Sequence, residues 1–256
     1  MSLFQDLYRI LSNNALTESC FDMVISCPDI AQAAEAGQFI QIRCSEKILR
    51  RPISFCEINK ENNTVRIVYE VRGEGTEWLS KRYPGEKIDI LGPLGKGFKI
   101  VEGKYNPLII GGGIGSPPLL EAAKLFNNKV DSLLGFKSAK NSILIDDFRR
   151  YSKNVYITTD DGSLGFKGLT VDYLEEIIEK NKYDLIFSCG PVPMLKAVAN
   201  IAEKHVIDCF VSMEERMGCG VGACLVCACE IKSDGVNKYR HVCKDGPVFN
   251  ASEVVW

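Results

Sequence analysis

The feature that most limits what this chain can fold into lies near its C-terminus. There Cys219-Gly-Val-Gly-Ala-Cys224-Leu-Val-Cys227 is followed by Cys243, a spacing of C-x4-C-x2-C-x15-C. Three thiols crowd one tight loop and a fourth arrives alone. A [2Fe-2S] cluster takes four thiolates, and one established ligand spacing for it opens with the same C-x4-C-x2-C. Gly218, Gly220, Gly222 and Ala223 suit such a loop, because backbone N–H groups must come close to sulfur without side chains in the way. A structural zinc site also takes four cysteines, but its usual signature is two short Cys pairs far apart. Cys229 stands near enough to replace Cys227, at the cost of the spacing, and reads better as a buried neighbour. Beyond Val211 the chain is too short to build its own core, so a metal centre is expected to hold it.

The cluster cysteines belong to a total of 11 in 256 residues. An odd count in a chain of this length argues for reduced thiols rather than a disulfide framework. Cys20, Cys27, Cys44, Cys56 and Cys209 sit among apolar neighbours and are expected to be small buried hydrophobes. With 31 basic and 33 acidic residues the charge is balanced and nowhere gathered into a block, which points away from a nucleic-acid surface. The opening residues MSLFQDLYRILSNNALTE form no signal-peptide core, and the most apolar stretch, around Leu108 to Leu120, is broken by glycines and prolines. A cytosolic protein without a membrane span is the expectation.

Three textures follow one another along the chain. Up to about Ile100, short alternating runs (Phe21 to Ser26, Gln38 to Arg43, Arg51 to Glu57, Thr64 to Val71, Lys87 to Leu91) predict an antiparallel β-barrel. From about Asn106, buried strands alternate with helical patterns: strands at 107–110, 130–136, 155–159 and 184–188, helices at 119–126 and 170–180. That alternation predicts a parallel α/β sheet. The expected domains are 1–101, 102–210 and a small cluster-binding unit, 211–256.

Within the α/β part, Leu108-Ile-Ile-Gly-Gly-Gly-Ile-Gly-Ser-Pro-Pro-Leu reads as a strand, a glycine turn and a helix. Such a junction lets backbone approach a pyrophosphate at a helix N-terminus. It is not a full G-x-G-x-x-G, since Ser116 takes the last glycine position, and Phe136-Lys137-Ser138 stands where an acidic residue would select NAD. Lys137 leaves NADP open. Cys189-Gly190-Pro191 follows a later strand at the same sheet edge, where Cys189 can lie beside a nicotinamide ring or simply pack under a loop.

Arg51-Pro52-Ile53-Ser54, the glycine loop, Cys189-Gly190-Pro191 and the cysteine cluster occur in an order that resembles the ferredoxin-reductase superfamily. Within it, the similarity is to electron-transfer subunits of NAD-dependent (class B) dihydroorotate dehydrogenases, over essentially the full length. The resemblance implies a flavin motif of the form R-x-[YF]-[ST], with Arg51 at the FAD pyrophosphate and Ser54 near the reactive flavin nitrogen; Ile53 replaces the aromatic. It implies further FAD contacts at Val68, Tyr69, Glu70, Gly75 and Thr76, although a basic residue is expected where Glu70 stands. Gly112, Gly113, Ile114 and Gly115 correspond to the NAD loop, and Cys219, Cys224, Cys227 and Cys243 to the cluster ligands. Thr159 to Ser163 is also similar, but reads equally as a solvated turn. His205 and His241 match no functional position.

The implied cofactors are FAD, a [2Fe-2S] cluster and NAD, and no residue need act as a general acid or nucleophile. The implied partner is an FMN-containing dihydroorotate dehydrogenase catalytic subunit, in a heterotetramer with paired copies of each chain. A flavin and iron-sulfur subunit of a ferredoxin:NADP oxidoreductase or a sulfide dehydrogenase is the alternative within the same class. A redox sensor with a passive nucleotide fold is the alternative outside it, opposed by Arg51 to Ser54.

Overall fold

A computed structural model describes residues 2–100, 103–104, 106–233 and 235–256. The N-terminal part is a closed six-stranded barrel of order β1-β2-β5-β4-β3-β6. It comprises β1 (Phe4–Ala15), β2 (Cys20–Ser26), helix α1 (Pro28–Ala33), β3 (Phe39–Ile42), β4 (Arg51–Asn59), β5 (Thr64–Glu70), helix α2 (Glu74–Ser80) and β6 (Lys87–Leu94). Inward residues such as Ile10, Met23, Ile25, Phe55 and Ile67 fill it completely. All neighbouring strands in the barrel run antiparallel.

The longest of these strands, β1, has no counterpart among the expected elements. Its outward face carries Leu7 and Leu11 while Tyr8 and Ile10 point inward, so apolar residues lie on both sides and the alternation that marks a half-buried strand is blurred. An irregularity between Ile10 and Ser12 breaks the period further.

The second part comprises β7 (Pro107–Gly112), α3 (Pro117–Lys124), β8 (Asp131–Phe136), α4 (Ile145–Tyr151), β9 (Asn154–Thr159), β10 (Phe166–Lys167), α5 (Thr170–Lys180), β11 (Leu185–Cys189), α6 (Val192–Lys204) and β12 (Asp208–Ser212). After them come β13 (Ala228–Ser233), β14 (Val236–His241) and β15 (Val248–Asn250). A seven-stranded sheet runs β10-β9-β8-β7-β11-β12-β15, parallel except for the last strand. Every residue of β7, β8 and β11 is buried, as expected for strands covered by helices on both faces. The expected helix at 170–180 is α5, whose Leu174, Ile177 and Ile178 form its buried stripe. Helix α3 starts at Pro117, where a missing N–H costs nothing.

The expected junction at 101/102 lies outside the described residues. The one expected at 210/211 falls inside β12, and β15 returns from the C-terminal segment to pair with β12. The C-terminal segment therefore shares its packing with the α/β sheet: Cys227, Ile231, Val242 and Cys243 lie in the same apolar cluster as Leu108, Leu133 and Ile186.

A half-buried ionic network fixes the barrel against the sheet. Arg66 on β5 bonds Asp22 at 2.9 Å, Glu57 at 2.6 Å and, across the boundary, Asp147 on α4 at 3.3 Å. Lys124 on α3 reaches Glu57 at 2.8 Å and Glu121 at 3.0 Å, and Glu121 accepts the N–H of Ile58 at 2.9 Å. Burial works against the Glu57 carboxylate, but Lys124 and Arg66 outweigh it and hold its pKa below the ordinary value. This seam sets the mutual position of the walls that form the site.

Candidate functional site

A cleft of about 240 Å³ opens where barrel and sheet meet. Its barrel wall is Arg51, Pro52, Ile53 and Ser54 from β4, Val68, Tyr69 and Glu70 from β5, and Thr76 from α2. The opposite wall is Ile114 of the glycine turn, Pro118, Cys189 and the stretch from Ser212 to Glu215. Residues far apart in sequence thus converge, and they do so at the C-terminal ends of the parallel strands β11 and β12, where open α/β sheets bind ligands.

Local geometry explains the residue types. Arg51 Nη1 donates to the Leu49 carbonyl at 2.7 Å, which folds its guanidinium over the first turn of α2. A Cβ on Gly75 would lie 2.6 Å from Arg51 Nε, so glycine there makes room for the guanidinium. Thr76 Oγ1 accepts the N–H of Arg72 at 2.9 Å and is committed to holding the turn. The Tyr69 hydroxyl donates to Asn13 Oδ1 at 3.0 Å, and the Tyr69 ring stacks on Phe21 and packs in the barrel core while the residue borders the cleft. Glu70 pairs with Arg72, and Arg72 itself lines the cleft. The basic group missed at position 70 is therefore present two residues later.

The glycine turn and the Cys189 loop pack directly on each other. A Cβ on Gly115 would meet the Cys189 carbonyl at 2.5 Å and Gly190 backbone at 2.6 Å, and one on Gly112 would strike Pro191 and Met194. Those glycines, with Gly190, serve the contact between two loops, whereas Gly113, at φ +54°, faces open space. Gly113 to Gly115 form a short 3-10 turn before α3. Gly75, Gly112, Gly113, Gly115, Gly190 and Pro191 thus stand behind or beside the cleft wall, and Ile114 and Cys189 form it.

Cys189 is buried at the end of β11, in register with Gly111 and Ser212. Burial, aided by Glu214, drives its thiol far above the ordinary range, so it is a neutral thiol at physiological pH. Glu214, just before the cysteine loop, also faces the cleft. Crowding strips water from its carboxyl and raises its pKa, Arg72 opposes that and Glu70 adds to it. The Thr159–Ser163 turn closes on itself instead: Asp161 Oδ1 accepts from Ser163 N and Oγ at 2.9 and 2.6 Å. His205 is tied to Glu175 on the helical surface, and the His241 backbone to Asp245.

The cysteine loop wraps its own sulfurs. The N–H groups of Val221, Ala223 and Cys224 donate to Cys219 Sγ at 3.4, 3.2 and 3.4 Å, and that of Gly222 donates to Cys243 Sγ at 3.2 Å. Gly220 and Gly222 take positive φ to allow it. Desolvation raises the Cys219 thiol, but these donors and the Cys224 thiol together outweigh it and bring it down to about 6, which favours the thiolate a metal needs. The Cys243 thiol is pushed up to about 12, first by burial and then by its contact with Cys227. The sulfurs therefore meet as two pairs, Cys219 with Cys224 near the surface and Cys227 with Cys243 inside. Among the described residues no three His, Cys, Asp or Glu side chains converge as ligands of a single ion. A two-iron cluster needs two thiolates on each metal, and the paired arrangement fits that demand. Cys229 is buried in β13, and Cys20, Cys27, Cys44, Cys56 and Cys209 are buried as expected.

Residues 214–255 match the family model for the iron-sulfur cluster binding domain of dihydroorotate dehydrogenase B. A dihydroorotate dehydrogenase B (NAD(+)) electron transfer subunit from Caldanaerobacter subterraneus is 42% identical over 250 residues, 97% of each chain. The chain belongs to this family of electron transfer subunits. Another dihydroorotate dehydrogenase B electron transfer subunit, from Fusobacterium nucleatum, is 39% identical, covering 94% of this chain and 95% of that one. Among solved structures, NADH-dependent reduced ferredoxin-NADP oxidoreductase superposes with a TM-score of 0.88 at 31% identity, covering 98% of this chain and 90% of the other. The ferredoxin reductase of carbazole 1,9a-dioxygenase, at 19% identity and a TM-score of 0.69 over 81% of this chain and 67% of its own, shares the fold.

Proposed function

We propose that this chain holds FAD in the cleft and a [2Fe-2S] cluster on Cys219, Cys224, Cys227 and Cys243, and passes electrons between NAD(H) and an FMN-containing dihydroorotate dehydrogenase subunit. The observation that carries the proposal is the shared cleft: Arg51 to Ser54, Cys189 and Met217, which leads into the cysteine loop, all border one space. A nicotinamide exchanges a hydride, an iron-sulfur cluster takes single electrons, and a flavin converts between the two.

The chain's own residues supply binding and exclusion of water. Arg51 and Arg72 offer charged donors to phosphate oxygens. Ser54 is a small donor that permits close approach. Cys189, Ile114 and Pro118 wall off the side on which a nicotinamide would stack, and Gly112, Gly113 and Gly115 keep the turn close to its neighbours. Net flow runs from dihydroorotate to NAD in pyrimidine synthesis.

The partner is proposed to cover the cysteine loop, in a cytosolic heterotetramer with paired copies of each subunit. Around the outer pair, Cys219 and Cys224, the side chains of Val221, Leu225 and Val226 are 41, 75 and 56% exposed, an apolar surface beside the redox centre. No helix among the described residues is long and apolar enough to cross a membrane.

Steady-state assays test the division of labour. The isolated chain is expected to oxidise NADH with an artificial acceptor and to leave dihydroorotate untouched; adding the catalytic subunit restores dihydroorotate-dependent reduction of NAD. Dihydroorotate turnover by the chain alone would contradict the proposal. Co-purification with a large multi-cluster flavoprotein would favour the ferredoxin:NADP oxidoreductase alternative.

A further inference from the structure

Strand β3 reaches both redox sites. Phe39 lines the cleft, and two residues later Gln41 leaves the barrel on the same side and enters the cysteine loop. Gln41 is wholly buried, its Nε2 lies 3.6 Å from Met217 Sδ, a weak acceptor, and its Oε1 has no partner among the described residues. Met217 itself borders the cleft. On its other side the carboxamide presses on the residue after Cys219: a Cβ on Gly220 would lie 2.8 Å from Gln41 Nε2, 3.0 Å from Cγ and 3.1 Å from Cδ.

A buried amide so poorly partnered costs stability that an apolar side chain of similar size would avoid. Pro52 and Leu91, its cross-strand neighbours, are already apolar. Nothing in the barrel asks for a polar group here. What does ask for one is the loop: hydrogen-bond donors near sulfur raise a cluster's reduction potential, and a fixed distance between redox centres keeps transfer fast.

We infer that Gln41 is a positioning residue for electron transfer: wedged between Met217 and Gly220, its carboxamide holds the cysteine loop against the cleft wall and sets an N–H dipole beside the cluster. One electron leaves the reduced flavin and one is gained at the cluster; no bond to Gln41 forms or breaks. The inference rests on the flavin and cluster assignment above.

The test compares the wild-type protein with Gln41→Leu and Gln41→Glu after FAD and iron content have been measured. Mixing with NADH under anaerobic conditions is followed by flavin bleaching and by freeze-quench EPR, and the cluster's midpoint potential is read by EPR-monitored titration. Both variants are expected to bleach flavin at the wild-type rate, to reduce the cluster about tenfold more slowly, and to show a more negative potential, since small displacements in a preorganised site have effects of this size or larger. Wild-type potential and cluster-reduction rate in Gln41→Leu would overturn the inference. If Gln41→Leu loses its cluster, Gln41→Met, which keeps the side chain's length and adds no charge, decides by the same two readouts, since the carboxylate of Gln41→Glu lowers the potential by its charge as well. A wild-type protein without a two-iron EPR signal would instead remove the assignment on which the inference rests.

Discussion

A Cys219→Ala chain is expected to purify with its flavin and without iron. Cys219 Sγ is the acceptor for three backbone N–H groups, so its loss removes a ligand and also the anion around which the loop is wound. The binding energy of a metal centre is folding energy for the segment it organises. Residues 213–227 contain no helix or strand, and protease should cut there once the cluster is gone. The β13–β14 hairpin is held differently, through Ile231, Val242 and Val254 in the main apolar cluster, and should survive. NADH oxidation with an acceptor that draws on the flavin continues, while NAD reduction by dihydroorotate in the reconstituted complex falls to background. Retention of the coupled activity without iron would refute the assigned route.

Flavin binding is expected to weaken on substitution of a residue that makes no polar contact of its own. In Gly75→Ala the new Cβ would occupy a point 2.6 Å from Arg51 Nε. The obstacle is the end of a flexible side chain, so the backbone has no need to shift, and alanine suits a helical turn better than glycine. Thermal stability of the flavin-free protein should therefore hold or rise slightly. The guanidinium, however, must leave its place over α2. Losing one charge-assisted hydrogen bond costs about 1.5–3 kcal/mol, which corresponds to FAD binding weakened by roughly ten- to a hundredfold. Arg51→Ala should give a similar loss, and the double variant little more, because both act on one group. Equilibrium dialysis with FAD measures this directly; full additivity would mean that Gly75 and Arg51 contribute separately.

Legibility of this molecule in its sequence followed the range of the interactions involved. The cysteine spacing could be read because a single loop delivers three ligands and the small residues between them are dictated by the same loop. Helix α5 could be read because Leu174, Ile177 and Ile178 repeat at helical spacing and the covering elements do not disturb it. Strand β1 could not, because its outward leucines erase the period that its inward residues set. Arg51 to Ser54 became meaningful only in the company of other motifs. Beyond Ile114 and Cys189 the far wall is hidden in the sequence: Ser212, Glu214, Met217 and Pro247 join Phe39 and Arg51 through the return of β15 to β12 and the packing of the cysteine loop on β3, and no local pattern encodes such long-range contacts. Arg72 was obscured for a smaller reason, a shift of two positions from where a basic residue was sought.

Cofactor analysis of the native protein, combined with its visible spectrum before and after NADH, tests most directly whether one chain joins a flavin to a two-iron centre. The expected result is FAD together with about two irons and two acid-labile sulfides per chain, flavin and charge-transfer bands that bleach with NADH, and an EPR signal from the reduced cluster. Zinc in place of iron, or a spectrum in which NADH bleaches the flavin and no iron-sulfur signal emerges, would contradict it.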